Sequence, residues 1–243
     1  MTIKNLCIIT ARGGSTRIPH KNISKIAGLP LIAWSINAAK ESGIFTHILV
    51  STDDEDIAAV AREHGASVPF LRNGAYDNKA TASEAAMIAI EQAEGYWGIT
   101  YDNIVLLMPT CPLRNGKIIK EQFKYFEGSE SKFVLSCAEF GPFKPWWACE
   151  LDTQNQPKYL IPEALKKRSQ DLPKAVSPSG AVWIADRDAL MVEKSYYGKG
   201  HSFYPIPWVA AIDIDIPEDI VLIETLLGTA NLTELMEAVS DSM

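Results

Sequence analysis

Long apolar runs are absent from this sequence of 243 residues, and no stretch approaches the roughly 18 apolar residues that a membrane-spanning helix needs. The apolar start at residues 6–9 runs into Arg12 too early to form the core of a secretory signal. Basic charge is also scarce, because 23 Lys and Arg residues stand against 30 Asp and Glu residues, for a formal net charge of -7. These absences predict a cytoplasmic protein with no membrane partner, and they argue against nucleic acid as a partner.

Cysteine is rare as well, and the commonest catalytic and nucleotide-binding motifs are missing. The four cysteines contain no CxxC pair, so they are predicted to be buried thiols rather than metal ligands. The sequence lacks GxGxxG, the usual motif of a dinucleotide-binding fold, and GxxxxGK[ST], the motif of a P-loop. It also lacks GxSxG, so nothing in it supports serine hydrolysis. The whole sequence is 47% hydrophobic and 22% charged residues, and this composition is typical of a globular protein with a sizeable core.

Short apolar runs alternate with amphipathic segments, a pattern typical of an α/β protein with a mainly parallel sheet flanked by helices. Strands are predicted at residues 6–10, 47–51, 103–108, 133–138 and 181–185, with a last one near residues 212–216. Helices are predicted at residues 31–42, 55–63, 81–94 and 117–126, and from residue 217 onward. The segment at about 139–178 is rich in proline, aromatic residues and lysine, and is predicted to be an excursion from a single domain spanning residues 1–243.

The segment ARGGSTRIPHKN, at residues 11–22, directly follows the first predicted strand. Ligands of open α/β sheets bind outside the carboxyl ends of the strands, so this loop is where a site is expected. Gly13 and Gly14 allow backbone amides to approach a phosphate, and the basic side chains add positive charge. The alternative is a solvated basic turn between strand and helix, but the density of charged and polar groups favours a triphosphate site.

This loop resembles the nucleotide loop ARGGSKRIxxKN of the cytidylyltransferases that activate acylneuraminate and related nonulosonic acids, except at Thr16, where that family usually has Lys. The resemblance continues in order through VSTDDEDIA (50–58), VPFLR (68–72), LMPTCPLR (107–114), RSQDLP (168–173), SGAVWI (179–184) and DIDIPED (213–219). Such an ordered series is far more specific than any of its parts. It implies a three-layer, Rossmann-like nucleotidyltransferase sheet with a small dimerisation excursion, and hence a homodimer.

The resemblance also implies a reaction, in which CMP is transferred from CTP to a nine-carbon 2-keto acid sugar and pyrophosphate leaves. The implied catalytic residues are Lys21, Arg12, Asp213 and Asp215, with Lys21 as the main stabiliser of the transition state. The implied nucleotide-binding residues are Ala11, Arg12, Gly13, Gly14, Ser15, Arg17, Asn22 and Arg72. Because Thr16 removes one cation, triphosphate binding is expected to depend more on Arg17.

Asp213 and Asp215 flank one residue near the end of a predicted strand. Alternating residues of a strand point to the same face, so both carboxylates can converge on one hard cation. Mg²⁺ commonly takes one or two carboxylates together with phosphate oxygens and water, which makes it the expected cofactor. A role as general base is the other catalytic option for one of these carboxylates. The alternative is that these acidic residues only form a turn before a helix and interact favourably with its dipole. This structural interpretation is preferred for Glu218 and Asp219.

The acceptor sugar is expected to meet Arg168, whose guanidinium suits a sugar carboxylate, and Gln170, which can bind hydroxyl or amide groups. Met108 stands where enzymes for N-acetylneuraminate commonly have Gln, which makes pseudaminic and legionaminic acid serious candidates. Two further hypotheses stay open. One is transfer to the eight-carbon keto acid of lipopolysaccharide, and the other is a nucleotide-sensing module without catalysis.

Overall fold

The computed structural model describes residues 3–75, 80–140 and 143–228. In chain order, the elements are β1 (Asn5–Thr10), β2 (Lys25–Ile26), β3 (Leu29–Pro30), α1 (Leu31–Ser42), β4 (His47–Ser51), α2 (Glu55–Glu63), α3 (Ala82–Trp97), β5 (Asn103–Leu107), α4 (Gly116–Gly128), β6 (Phe133–Glu139), β7 (Cys149–Leu151), β8 (Pro157–Tyr159), β9 (Val176–Asp186), α5 (Arg187–Glu193), β10 (Ser202–Pro205) and α6 (Pro217–Leu227). Across these described ranges, no helix is both long and apolar enough to cross a membrane.

The central sheet is mainly parallel, as the alternation of apolar and amphipathic segments predicts. Its six strands lie in the order β10-β6-β9-β5-β1-β4. β1 pairs in parallel with β4 and β5, and β10 pairs in parallel with β6. β9 alone runs the other way, between β5 and β6.

Helices cover both faces of the sheet and give three layers. Because alternate residues of a strand point to opposite faces, Cys7 and Ile9 of β1 pack with α1, α2 and α4, whereas Leu6 and Ile8 pack with α3 and α5. All four side chains are fully buried. β1 therefore has the continuous apolar sequence of a parallel strand that is covered on both faces, and the predicted α/β fold class is confirmed.

The ends of α3 show how local sequence sets a helix. Thr81 caps its start, because the Thr81 hydroxyl accepts a hydrogen bond from Glu84 N (3.1 Å) and the Glu84 carboxylate accepts one from Thr81 N (2.7 Å). The helix runs past Gly95 and ends at Gly98, whose φ of 64° suits a residue without Cβ. The predicted end at residue 94 is wrong, because one internal glycine costs only about 1 kcal/mol and packing against the sheet outweighs it.

Two parts of the predicted topology are wrong at the carboxyl-terminal side. Residues 212–216 form no strand, but an irregular segment that follows the 3-10 helix Trp208–Ala211. The last strand of the sheet is β10 instead, a four-residue edge strand that ends in Pro205. Proline is tolerated in edge strands, and so short a run with a proline carries almost no strand signal. The short helix α5 was also missing from the prediction.

Between β6 and β9 the chain leaves the sheet in an excursion, which contains the β7–β8 hairpin and several single turns of 3-10 helix. Large apolar side chains are exposed there, among them Phe143 (81% exposed), Leu151 (63%) and Leu160 (59%). Such a concentration of exposed apolar groups is typical of a surface that meets another protein.

Candidate active site

The loop at residues 11–22 leaves the carboxyl end of β1 at a switch point of the sheet. The chain passes from β1 to β4 on one side and later to β5 on the other, which leaves a crevice between the loops that follow β1 and β5. A cavity of about 310 Å³ lies there. The predicted site residues that line it are Arg12, Ser15, Arg17, Lys21, Asn22 and Arg72.

Packing around Gly13 and Asn22 fixes the shape of this loop. The buried Asn22 donates from Nδ2 to Arg12 O (3.0 Å) and so closes the loop on itself. Gly13 N donates to Asp53 Oδ1 (3.2 Å), and a Cβ on Gly13 would collide with the Asp54 carboxylate. Gly13 is therefore needed for close packing against the loop after β4, whereas a Cβ on Gly14 would meet no atom within 4 Å.

Lys21 and Arg17 connect the loop to the segment that carries the predicted metal ligands. Lys21 Nζ donates to Ile214 O (2.7 Å) and lies 3.5 Å from Asp215 Oδ1. Arg17 NH2 donates to the same carboxylate oxygen at 2.7 Å. Ile18 and Ile214 belong to one small apolar cluster, which packs against α6. Lys21 and Asp215, predicted from motifs almost 200 residues apart, therefore lie side by side.

Arg72 is a buried cation at the rim of the cavity, and only 2% of its side chain is exposed. Its guanidinium donates to three backbone carbonyls, those of Ser51 (2.6 Å), Gly74 (3.0 Å) and Ala75 (3.3 Å). Burial lowers the pKa of Arg72, and the Asp53 carboxylate, 3.9 Å away, acts in the opposite direction. The site thus contains a positive charge whose position is set before any ligand binds.

Asp213 and Asp215 lie on either side of the buried Ile214, whose backbone N donates to Thr110 O (2.9 Å). Although Asp213 keeps an exposed side, desolvation raises the pKa of its carboxyl group. A hydrogen bond with the Thr110 side chain opposes this, and the negative charge of Asp215 adds to it. The two carboxylates therefore lie in one irregular segment beside Thr110 and Lys21, although the strand predicted to carry them does not exist.

Arg114 supports the loop after β5 from beneath. It is 2% exposed, and its NH1 donates to Met108 O (3.2 Å) and Ala181 O (2.8 Å), while NH2 donates to the Ser35 hydroxyl. Burial lowers the pKa of its guanidinium. Met108 lines the cavity and lies against Gly180, where a Cβ would collide with Met108 Sδ. One buried arginine thus joins the loop after β5 to β9 and α1.

Comparison with known proteins identifies the family. A family model described as cytidylyltransferase matches residues 6–205. The chain belongs to the cytidylyltransferase family. It is 39% identical over 219 residues to the pseudaminic acid cytidylyltransferase of Campylobacter jejuni subsp. jejuni (serotype O:23/36), covering 90% of this chain and 94% of the relative. It is 33% identical over 226 residues to the CMP-N,N'-diacetyllegionaminic acid synthase of Legionella pneumophila, covering 91% of this chain and 95% of that one.

Solved structures give the same fold. A CMP:2-keto-3-deoxy-manno-octonic acid synthetase complexed with CTP has a TM-score of 0.68 at 14% sequence identity, covering 92% of this chain and 98% of that one. With the family established, the protein is an enzyme of the nucleotidyltransferase class, and the resemblance noted from its motifs is confirmed.

Some residues of this cytidylyltransferase cavity were not predicted. Thr110 lines it, as do Thr81, Ala82 and Ala85 at the start of α3. Arg114 does not line it, and nothing in the LMPTCPLR motif indicates that this arginine is buried. The sequence does carry a signal for the α3 contribution, because Thr81 and Glu84 have the spacing of a capping box and so mark where a helix begins.

Other predicted residues do not line the cavity. Ala11, Gly13 and Gly14 belong to the loop without lining it, and Asp213 and Asp215 do not line it either. Arg168 and Gln170 lie in the excursion, where Arg168 forms an exposed ion pair with Asp171 (Nε–Oδ2, 2.7 Å). Their role in binding the acceptor stays a prediction.

Proposed function

We propose that this protein joins CMP from CTP to a nine-carbon 2-keto acid sugar, releasing pyrophosphate, and that the sugar is of the pseudaminate type. The observation that carries the proposal is the set of cations, Arg12, Lys21 and Arg72, around one cavity at the carboxyl edge of the sheet. The 39% identity with a pseudaminic acid cytidylyltransferase over nearly the full length of both chains supports the choice of sugar.

The proposed role of the 11–22 loop is to hold the triphosphate. Arg12, Arg17 and Lys21 supply charge, and Ser15 supplies a hydroxyl donor. Asn22 keeps the loop closed through its bond to Arg12 O. Because Arg72 is held by three carbonyls, it contributes positive charge without reorganisation, which is how electrostatic stabilisation is most effective.

In the proposed reaction, the anomeric hydroxyl oxygen of the sugar bonds to the α-phosphorus as the bond from that phosphorus to the bridging oxygen breaks. Pyrophosphate leaves with the bonding electron pair, and the hydroxyl proton passes to a carboxylate or to water. Lys21, whose side chain is only 15% exposed, would stabilise charge that develops on the phosphoryl oxygens. Positioning of sugar and phosphate supplies the rest.

Mg²⁺ is the proposed cofactor, with Asp213 and Asp215 as its protein ligands. Their hard carboxylate oxygens suit Mg²⁺, and the negative charge of Asp215 contributes to the raised pKa of Asp213, which is what two neighbouring carboxylates produce. No group of three or more potential ligand side chains occurs in the described ranges, so the remaining ligands of such an ion would have to come from phosphate and water. Bound there, Mg²⁺ would neutralise charge on the phosphate oxygens.

The acceptor is proposed to bind in a second cavity of about 260 Å³, lined by residues that include Ser179, Trp208 and Ile212. Ile212 directly precedes Asp213, and Asp213 bonds to Thr110, which lines the first cavity. Asp213 thus connects a residue that lines the first cavity with one that lines the second, although it lines neither itself.

We further propose a cytoplasmic homodimer formed through the excursion, because of its exposed apolar side chains. Arg168 and Gln170 line neither of these two cavities, and such an assembly would let the excursion of one copy carry them to the acceptor of the other.

The test is pyrophosphate release by the purified protein with Mg²⁺ and each nucleoside triphosphate, against pseudaminate, legionaminate, N-acetylneuraminate and the eight-carbon keto acid. Release with CTP and pseudaminate alone is expected. Release with another of these sugars would correct the acceptor but keep the reaction. CTP binding without turnover on any sugar would favour a nucleotide sensor and contradict the proposal.

A further inference from the structure

Two cations hold the same oxygen of Asp215. Arg17 NH2 lies 2.7 Å from Asp215 Oδ1, and Lys21 Nζ lies 3.5 Å from it. Lys21 has a shorter bond of its own to Ile214 O, at 2.7 Å. Arg17 is therefore the main partner of this carboxylate, across 198 positions of the chain.

The two cations differ in how firmly they are held. The Lys21 side chain is 15% exposed, whereas Arg17 is 61% and Asp215 46% exposed. Exposed ion pairs are among the weakest interactions in proteins and are easily exchanged. Arg17 also lines the cavity in which the phosphates are proposed to bind. The same guanidinium can thus reach either a carboxylate or a phosphate.

A divalent cation at Asp213 and Asp215 would have to share the Asp215 carboxylate with Arg17, whose positive charge partly neutralises it and repels the ion. Arginine and the metal ion are then competitors in the free protein. An arriving triphosphate changes the balance, because it offers the guanidinium a more highly charged, bidentate partner.

We propose that Arg17 makes divalent-cation binding conditional on nucleotide. In the nucleotide-free protein it neutralises Asp215 and weakens metal binding; when the phosphates enter, it moves onto them and releases Asp215 for the ion. The inference rests on the proposed function for its nucleotide, but the first half concerns the free protein alone.

The first experiment is a titration of nucleotide-free protein with Mn²⁺ alone, followed by the electron paramagnetic resonance signal of the free ion. Arg17→Gln is expected to bind Mn²⁺ about three- to fivefold more tightly, which is the most that loss of one exposed ion pair can release. Arg17→Lys should stay near the wild type. Lys132→Gln is the matched control, since Lys132 is 63% exposed, pairs with Asp186 at 2.9 Å and does not line the cavity.

The second experiment measures CTP binding in the presence of Mn²⁺ by calorimetry. Arg17→Gln should bind the nucleotide more weakly, which is opposite in sign to its effect on Mn²⁺ alone. If Arg17 merely clamped the two segments together, both affinities would fall. If it were only a phosphate ligand, Mn²⁺ binding in the absence of nucleotide would not change. Either result would overturn the proposal, as would equal tightening in Lys132→Gln.

A double variant separates this inference from the proposed function. Arg17→Gln made in Asp215→Asn protein should give no gain in Mn²⁺ affinity over Asp215→Asn alone, because the two changes act on one interaction. A gain that persists without the Asp215 carboxylate would place the ion elsewhere and refute the competition. Since the Mn²⁺ titration uses neither nucleotide nor sugar, silence in the pyrophosphate assay would reject the proposed reaction and leave the competition intact.

Discussion

Replacement of Lys21 by methionine tests the central electrostatic argument. Methionine keeps most of the aliphatic stem of lysine but removes the ammonium group, which donates to Ile214 O at 2.7 Å and lies 3.5 Å from Asp215 Oδ1. The change therefore removes one charge from the cavity and one connection between the 11–22 loop and the 212–216 segment, with little change in packing.

The structure allows the two losses to be estimated separately. A hydrogen bond from a charged, mostly buried group contributes about 1.5–3 kcal/mol, and in a protein of this size that is a fall in Tm of about 3–12 °C. Removal of a donor that stabilises developing charge typically lowers kcat by about 10²–10³. Because 1.4 kcal/mol corresponds to a tenfold change in rate, the kinetic effect requires the loss of about 2.7–4 kcal/mol in the transition state.

The assay is kcat and KM for pyrophosphate release, measured well below the Tm of the variant, together with thermal unfolding and CTP affinity. Lys25→Met is the matched control, since Lys25 lies on the short strand β2, is exposed and does not line the cavity. It should leave kcat and Tm almost unchanged. A kcat for Lys21→Met within about threefold of the wild type would refute the reasoning, because it represents less than 1 kcal/mol of transition-state stabilisation.

Three further predictions follow from the same contacts. Gly13→Ala should lower stability by about 1–3 kcal/mol, because its Cβ meets Asp54, whereas Gly14→Ala should stay within about 0.5 kcal/mol in the same denaturation experiment. Asp213→Asn should raise the Tm of the metal-free protein at neutral pH and flatten its pH dependence; a fall in Tm would contradict this. The pKa of Asp213 is raised in the folded protein, which means that folding favours the protonated carboxyl group. The stabilisation that this protonated form provides is therefore lost as pH rises through the folded-state pKa. Asp215→Asn should raise the Mg²⁺ concentration for half-maximal activity by about tenfold or more, and an unchanged Mg²⁺ response would remove Asp215 from the metal site.

The sequence was sufficient for features that local chemistry determines. The strands around β1 are continuous apolar runs, and their burial on both faces follows from that pattern. The nucleotide loop was located because it combines charge and glycine directly after such a strand. Asp219 was interpreted as a residue of a helix start, and its Oδ2 does accept from Asp215 N (2.7 Å) and Ile216 N (2.9 Å) before α6.

Features that depend on distant contacts were beyond the sequence pattern. Alternating Asp213 and Asp215 suggested a strand, but Ile214 is held by Thr110 and by an apolar cluster rather than by a neighbouring strand. The burial of Arg114 was equally unpredictable, because two of its three partners, the Ala181 carbonyl and the Ser35 hydroxyl, belong to distant segments. These hydrogen bonds form only when the loop after β5, β9 and α1 have packed together.

The anchoring of the site explains why a charged surface loop can be both ordered and ready to exchange partners. Ile18 lies in the small apolar cluster with Ile214, so burial holds the middle of the loop against the segment that carries the carboxylates. Asp219 fixes the backbone of Asp215 from the other side. With the backbone held by these contacts, the exposed Arg17 side chain contributes little to the fold. In the proposed exchange it moves from carboxylate to phosphate, whereas Lys21, which is mostly buried and donates to Ile214 O, stays in place.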